Sequence, residues 1–511
     1  MKKNSNTTKP SASTLAYNNL HAISREITHI ESTSHLLDWD QETYMPPGAA
    51  AHRAEQLEAL AGIAHQKKVG SSFKNALEKL ISVKSGTLKA KDLPTRQQAA
   101  VRLWRKDFLR EKCLPQSFTE KWAKLTSTAI NAWKKAKTDN NFKLFLPLLT
   151  ELVDLARKKA DYLTYKNHPY DALMDLYEPE LTVEKVTPLF TQLRKQIVPL
   201  LKSIKAAGPI NDAFLNGTWS HELQLEFSKK ILTNIGYDLQ YGRIDLSSHP
   251  FCSGMHPTDT RVTTRFHPTN LISCVSTLLH EAGHALYSMG IPKEEHGSPL
   301  GEAVSMALHE SQSRFWEIFI GQGRPFWSHY LPKLKATFPG KFDKVTLEQF
   351  YKAINKVTPS LIRVDADEVT YPLHVILRYD LERKLIEGSM KTKEIPDAWN
   401  AGMKELLGIT PPNDQQGCLQ DIHWAMGGFG YFPTYALGTM YAAQLFSSFA
   451  KKHKGWDKRV ANGELLFIKE WLNKEIHQHG RQFTSFELIK RVTGKEFDAG
   501  AFTSYLKEKY L

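Results

Sequence analysis

The chain has 511 residues, 41% hydrophobic and 24% charged, the balance of a globular protein with room for one large or several ordinary domains. No apolar run reaches the ~20 residues that span a bilayer, so no membrane partner is expected. A formal charge of +13 raises nucleic acid as a partner, but the lysines are spread out and no zinc-finger, RNA-recognition or helix-turn-helix pattern accompanies them, so none is expected either.

Residues 1–14 are polar, lack the apolar stretch of a signal peptide and read as a disordered tail. Residues 15–511 read as a single unit. Helical periodicity dominates to about Gln240, as in 51–65, 118–136 and 142–165, and predicts an N-terminal helical wall over about 15–240. Breaks fall at Pro46-Pro47, at 83–94, at Gly208-Pro209 and at Gly217. Residues 259–266 alternate and are β-branched, which predicts a strand. From Leu271, the residues Val275, Leu278, Leu279, Ala282, Leu286 and Met289 recur at three- and four-residue spacing, predicting a helix. Thr269 or Asn270 is placed to cap it, and Gly290 to close it in the left-handed conformation. A Pro/Gly loop (291–301) and a second helix (302–320) follow, within a site region over about 241–440, and helical patterns fill 441–511. The expected fold is mainly α, with a small β-sheet beside the 271–290 helix. Four cysteines (Cys113, Cys252, Cys274 and Cys418), none in C-x-x-C spacing, predict free thiols and a cytoplasmic location.

Within the 271–290 helix stands His280-Glu281-Ala282-Gly283-His284, an H-E-x-x-H. Positions i and i+4 share one helix face, so both imidazoles can grip one metal ion. Glu281 then lies beside the metal-activated water, where a general base is needed. A catalytic zinc takes a third protein ligand, and Glu302, Glu310 and Glu317 on the next helix are all candidates by spacing.

Further motifs narrow the choice. His249-Pro250-Phe251, Asp259-Thr260-Arg261-Val262-Thr263, His280–His284, His309-Glu310-Ser311-Gln312, Ile362-Arg363-Val364-Asp365-Ala366-Asp367 and Gly417-Cys418-Leu419-Gln420-Asp421-Ile422-His423-Trp424 occur in that order. The set resembles the carboxypeptidase Taq family of metallocarboxypeptidases, as do the segments 39–47 and 170–173. The resemblance implies a large helical groove peptidase similar to neurolysin and angiotensin-converting enzyme. It implies Zn2+ held by His280, His284 and Glu310, with Co2+ as a functional substitute. It implies homodimers, and release of single C-terminal residues from peptides with a free carboxylate, with broad specificity that is poor for proline. In several related zinc peptidases an Asp four residues after the third-ligand Glu orients a ligand His. That position is Arg314 here, so the outer acceptor is left open.

An oxyanion donor is also needed, and related groove peptidases use a Tyr and a His. His423 and Tyr435 are the candidates, with Tyr431 as second choice, the two tyrosines standing on a glycine-rich segment (427–435) read as a flexible loop. A terminal carboxylate suits an arginine fork, so Arg363 is the expected receptor, with Gln420 and His423 assisting and Arg261 as a weaker candidate. Asp421 is placed to orient His423. The strand at 261–265 is a candidate for pairing with the substrate backbone. The competing readings are an oligopeptidase or dipeptidyl carboxypeptidase on the same site, and a catalytically inactive peptide-binding protein.

Overall fold

Ser11 starts the first helix. Its side chain accepts a hydrogen bond from the Thr14 N–H, one of the amides that an N-terminus leaves unpaired. The computed structural model describes residues 9–267 and 269–511. The tail expected over 1–14 lies partly outside the described residues, and its end is corrected: Ala12–Thr14 already form the first turn of α1 (Ala12–Thr43). With α2 (Ala50–Val69), α3 (Ser71–Leu80) and α4 (Thr95–Cys113), α1 encloses a core of Tyr17, Leu20, Leu77, Trp104 and Phe108, to which the rest of the chain contributes Leu300.

Helices from Gln116 onward bury their apolar faces in a second, larger core that extends to Leu506. The wall expected over 15–240 is therefore not one unit. It divides after α4, because periodicity reveals a buried face but not which core the face joins.

The strand expected at 259–266 forms as β3 (Asp259–Thr264), after β1 (Ile244–Leu246) and β2 (Cys252–His256). The order is β1-β3-β2, with β3 parallel to β1 and antiparallel to β2. Both edges of β3 are thus occupied, so of the two readings open for it, structural strand or substrate-pairing strand, the structure has the first. β2 and β3 pack against the H-E-x-x-H helix, Leu271–Gly290.

Asn270 caps that helix by accepting from the Ile272 and Ser273 amides. Gly290 ends it without a left-handed turn. A Cβ there would stand 2.5 Å from Asn473 Nδ2 and 2.6 Å from His477 Nδ1, so the glycine answers crowding and not chain reversal. The helix expected from Glu302 begins instead at Met306, because Ser305 is its cap, and Glu302 is left outside in extended backbone. It runs as α-helix to Arg314 and continues as a π-helix over Phe315–Ile320. The long Pro433–Lys452 helix packs along it. Among the described residues no helix is long and apolar enough to cross a membrane, and all four cysteines are free.

Candidate metal centre and its groove

The two histidines of the motif turn their Nε2 atoms to a common point. Glu310 Oε2 lies 3.6 Å from His280 Nε2 and 3.4 Å from His284 Nε2. Donor atoms of all three residues fall within 4.8 Å of one another. Ligands held at about 2.0–2.1 Å in a tetrahedron stand roughly 3.4 Å apart, so the donor set fits one zinc-sized ion. Glycines make this convergence sterically feasible. A Cβ at Gly283 would stand 2.5 Å from the Gln312 carbonyl oxygen, and one at Gly438 would stand 2.6 Å from Glu310 Cγ. The Glu310 helix is therefore pressed between two neighbours at van der Waals distance, and neither glycine was legible as part of the site from sequence.

Of the three candidate third ligands, only Glu310 joins the cluster. Glu302 pairs with Arg481 at 2.7 Å. Glu317 supplies the outer acceptor that the sequence left open: its Oε2 lies 2.8 Å from His280 Nδ1. Arg314 ties the two acids together, through Nε to Glu310 Oε1 at 2.7 Å and Nη1 to Glu317 Oε2 at 3.1 Å, while stacking 4.5 Å over Tyr371. Burial works against a charge on Glu310, but Arg314, His280 and His284 hold its carboxyl well below the usual range. Burial likewise opposes a charged His280, yet Glu310 and Glu317 raise its ring to about 9. His284 has no acceptor at Nδ1 among the described residues; its ring stacks 4.5 Å from His309, which stacks on Tyr287. Glu281 is buried beside the two histidines, and burial pushes its carboxyl up.

His423 and Tyr435 meet, Nε2 to hydroxyl, at 3.2 Å, and Tyr431 lies 5.2 Å ring to ring from Tyr435. Burial pushes His423 down to about 4, so its ring is neutral near pH 7. Asp421 does not orient this ring. Its Oδ1 is 4.0 Å from Nδ1, which has no partner among the described residues. Asp421 instead accepts from Arg363 Nε and Nη2 at 3.0 and 2.8 Å and from Arg378 Nε at 2.7 Å. Arg378, wholly buried, had no signal in the sequence reading.

Arg363 also donates to the Tyr371 hydroxyl at 3.0 Å and faces the Tyr435 ring at 4.8 Å. Gln420 is corrected to a structural role. Its Oε1 accepts from the Arg363 amide and Arg378, and its Nε2 donates to three carbonyls, which leaves nothing for a ligand. Arg261 is corrected too. Its fork is closed on Asp259 at 2.8 and 2.9 Å and its face lies 4.4 Å from Trp39 of α1, so it joins the sheet to the N-terminal helices. The segment 427–435, expected as a flexible loop, is packed in place. The Gly430 amide donates to buried Glu382, as does Trp424, and a Cβ at Gly430 would stand 2.6 Å from the Leu173 backbone.

The profile of the carboxypeptidase Taq (M32) metallopeptidase family matches residues 19–510. Thermostable carboxypeptidase 1 of Thermus thermophilus is 38% identical over 505 residues, covering 97% of this chain and 98% of that protein. Carboxypeptidase 1 of Bacillus subtilis is 37% identical over 487 residues, covering 95% and 96%. The crystal structure of the M32 carboxypeptidase from Deinococcus radiodurans superposes with a TM-score of 0.93 at 35% identity, over 97% of this chain and 99% of that one. The chain belongs to the carboxypeptidase Taq (M32) family of metallocarboxypeptidases, which are peptide hydrolases.

Proposed function

We infer that the chain releases single residues from peptide C-termini with a zinc ion held by His280, His284 and Glu310. The observation that carries this reading is the convergence of those three donors within one coordination radius, with Glu281 buried beside them. Cobalt accepts the same nitrogen and oxygen donors and is the expected substitute. Bound there, the metal supplies a Lewis acid that polarises the scissile carbonyl and makes water more acidic.

Glu281 holds the proton that water gives up and delivers it to the leaving amine. Burial pushes its carboxyl up against the pull of His280 and His284, which makes it a stronger base than an exposed glutamate. His423 and Tyr435 serve as neutral donors to the developing negative charge, with Tyr431 behind them. Arg363 receives the terminal carboxylate. Among the described residues it and Arg378 share Asp421 alone, so two buried guanidiniums meet one carboxylate and a positive charge is left over beside Tyr435. Three of its five N–H groups are engaged, which leaves two for a substrate.

In this reading 15–511 form a single catalytic domain, working as a cytoplasmic homodimer with broad specificity that is poor for proline. The test compares two peptides identical except for a free or amidated C-terminus, with zinc- or cobalt-loaded protein. Stepwise loss of single residues from the free acid only, absent in Glu281→Gln, is the expected result. Internal or dipeptide cuts on both peptides would replace it with an oligopeptidase. Binding of peptide without cleavage, with metal bound, would leave a peptide-binding protein.

A further inference from the structure

Two cavities, of about 550 and 630 Å³, run beneath α1, α2 and α4. Glu31, Lys68, Glu111 and Glu302 line both, so they form one channel. His309 lines the first cavity and stacks on His284, so one ring stands between that cavity and a member of the metal cluster. Each cavity has the size that takes a drug-sized ligand, more than a single released residue needs.

The chain as a whole carries +13, yet this channel is acidic. Lys68 serves two carboxylates, Glu31 at 2.6 Å and Glu111 at 3.5 Å. Arg481 also serves two, Asp107 at 2.9 Å and Glu302 at 2.7 Å. Each cation is shared by two anions, so each group of three leaves one negative charge unbalanced. Arg110, the remaining lining cation, shares Asp175 with Lys106, so one positive charge is left over there, and Asp38 adds a further acid to the second cavity. Histidines also line the second cavity. His65 stands 3.5 Å from Glu111, and burial lowers His256 and His296, the latter to about 4, so those two add no charge at neutral pH. Glu302 lines both cavities with 61% of its side chain exposed.

We propose that this channel holds the retained part of the peptide and selects for positive charge on it, with Glu302 and Glu111 as the specificity-determining carboxylates. The inference rests on the carboxypeptidase reading, since release of one residue leaves all the others upstream of the cut. The cation is an ammonium or guanidinium. It comes either from a Lys or Arg side chain or from the free N-terminus of a short peptide.

The test measures kcat/KM of the metal-loaded full chain on hexapeptides that share one C-terminal dipeptide. The reference peptide is N-acetylated and uncharged upstream. In one arm a lysine replaces norleucine at each upstream position in turn, and in the other the N-terminus is left free. The expected preference for a cation is about tenfold at the best position, weakening with added salt. In Glu302→Gln/Glu111→Gln the ratio of charged to neutral substrate falls toward one, and in Glu302→Asp it persists. Each ratio is taken on one preparation, so a loss of folded enzyme cancels. Preference in the lysine arm assigns a side chain as the source, and preference in the free-amine arm assigns the N-terminus. A ratio near one in the wild type, or one that survives in the double variant, overturns the proposal. Absence of single-residue release from every peptide would instead remove the carboxypeptidase reading, and the proposal with it.

Discussion

The carboxylate of Glu317 stands 2.8 Å from His280 Nδ1, on the face of the ring away from the metal cluster. It fixes which nitrogen points inward, and it lies seven residues after Glu310 inside a π-helical turn. π-turns in helices frequently mark functional sites. Here the turn carries an acid back to the motif helix, where Arg314 also grips it.

Removing this acceptor costs metal affinity. Outer partners of metal-bound histidines typically contribute 10–100-fold. Glu317→Gln is expected near the lower end, since the amide oxygen still accepts, and Glu317→Leu near the upper. Competition with a chromophoric chelator measures both. Unchanged affinity in Glu317→Leu would reduce Glu317 to a partner of Arg314.

Gly438 tests the steric basis of the site without touching a donor atom. Its added methyl in Gly438→Ala would meet Glu310 Cγ at 2.6 Å and the Ala307 carbonyl at 2.9 Å. Overpacking of this kind costs about 1–3 kcal/mol. The metal-free protein is expected to melt earlier, and bound metal to raise its melting temperature by less than in the wild type. A normal metal-induced rise would mean that the two helices part without moving Glu310.

The contrast between Glu310 and these glycines shows what the sequence made legible. The motif helix was readable because its apolar stripe, its Asn270 cap and its two histidines all lie within 20 residues. Glu310 was placed by resemblance to a family. Spacing alone left Glu302 and Glu317 equally open, because the deciding features are the Ser305 cap and the π-turn. A glycine inside a helix reads locally as a penalty, and only the neighbouring backbone explains Gly283 and Gly438. Asp421 was misread for a similar reason. Its nearest candidate in sequence was His423, but its partners lie 58 and 43 residues away.

That misreading has a measurable side. Asp421→Asn would leave Arg363 and Arg378 buried beside each other with no anion between them. Breaking a buried pair from one side costs about 3–5 kcal/mol, so a large drop in the denaturant midpoint is expected. Arg363→Lys keeps the charge and loses the fork. It should therefore raise KM for free-acid peptides by about tenfold or more with a smaller loss of stability. An equal effect on amidated peptides would show that Arg363 does not read the carboxylate.

Glu382 gives the protein a pH dependence of its own, away from the metal. Burial pushes its carboxyl up to about 7, against hydrogen bonds donated by Tyr170, Gly430 and Trp424. The unfolded chain releases that proton near 4.5, whereas the folded chain keeps it until about 7. Between those values the native state binds more protons, so stability falls as pH rises. The contribution is fully present below about 4.5 and lost as pH passes through about 7, in total of order 3 kcal/mol. Glu382→Gln replaces the protonated acid with a neutral group of the same shape that cannot ionise. The melting temperature of the wild type should drop more than that of the variant between pH 5 and pH 8. Parallel curves for the two proteins would mean that Glu382 is already ionised at the lower pH, with its three donors outweighing its burial.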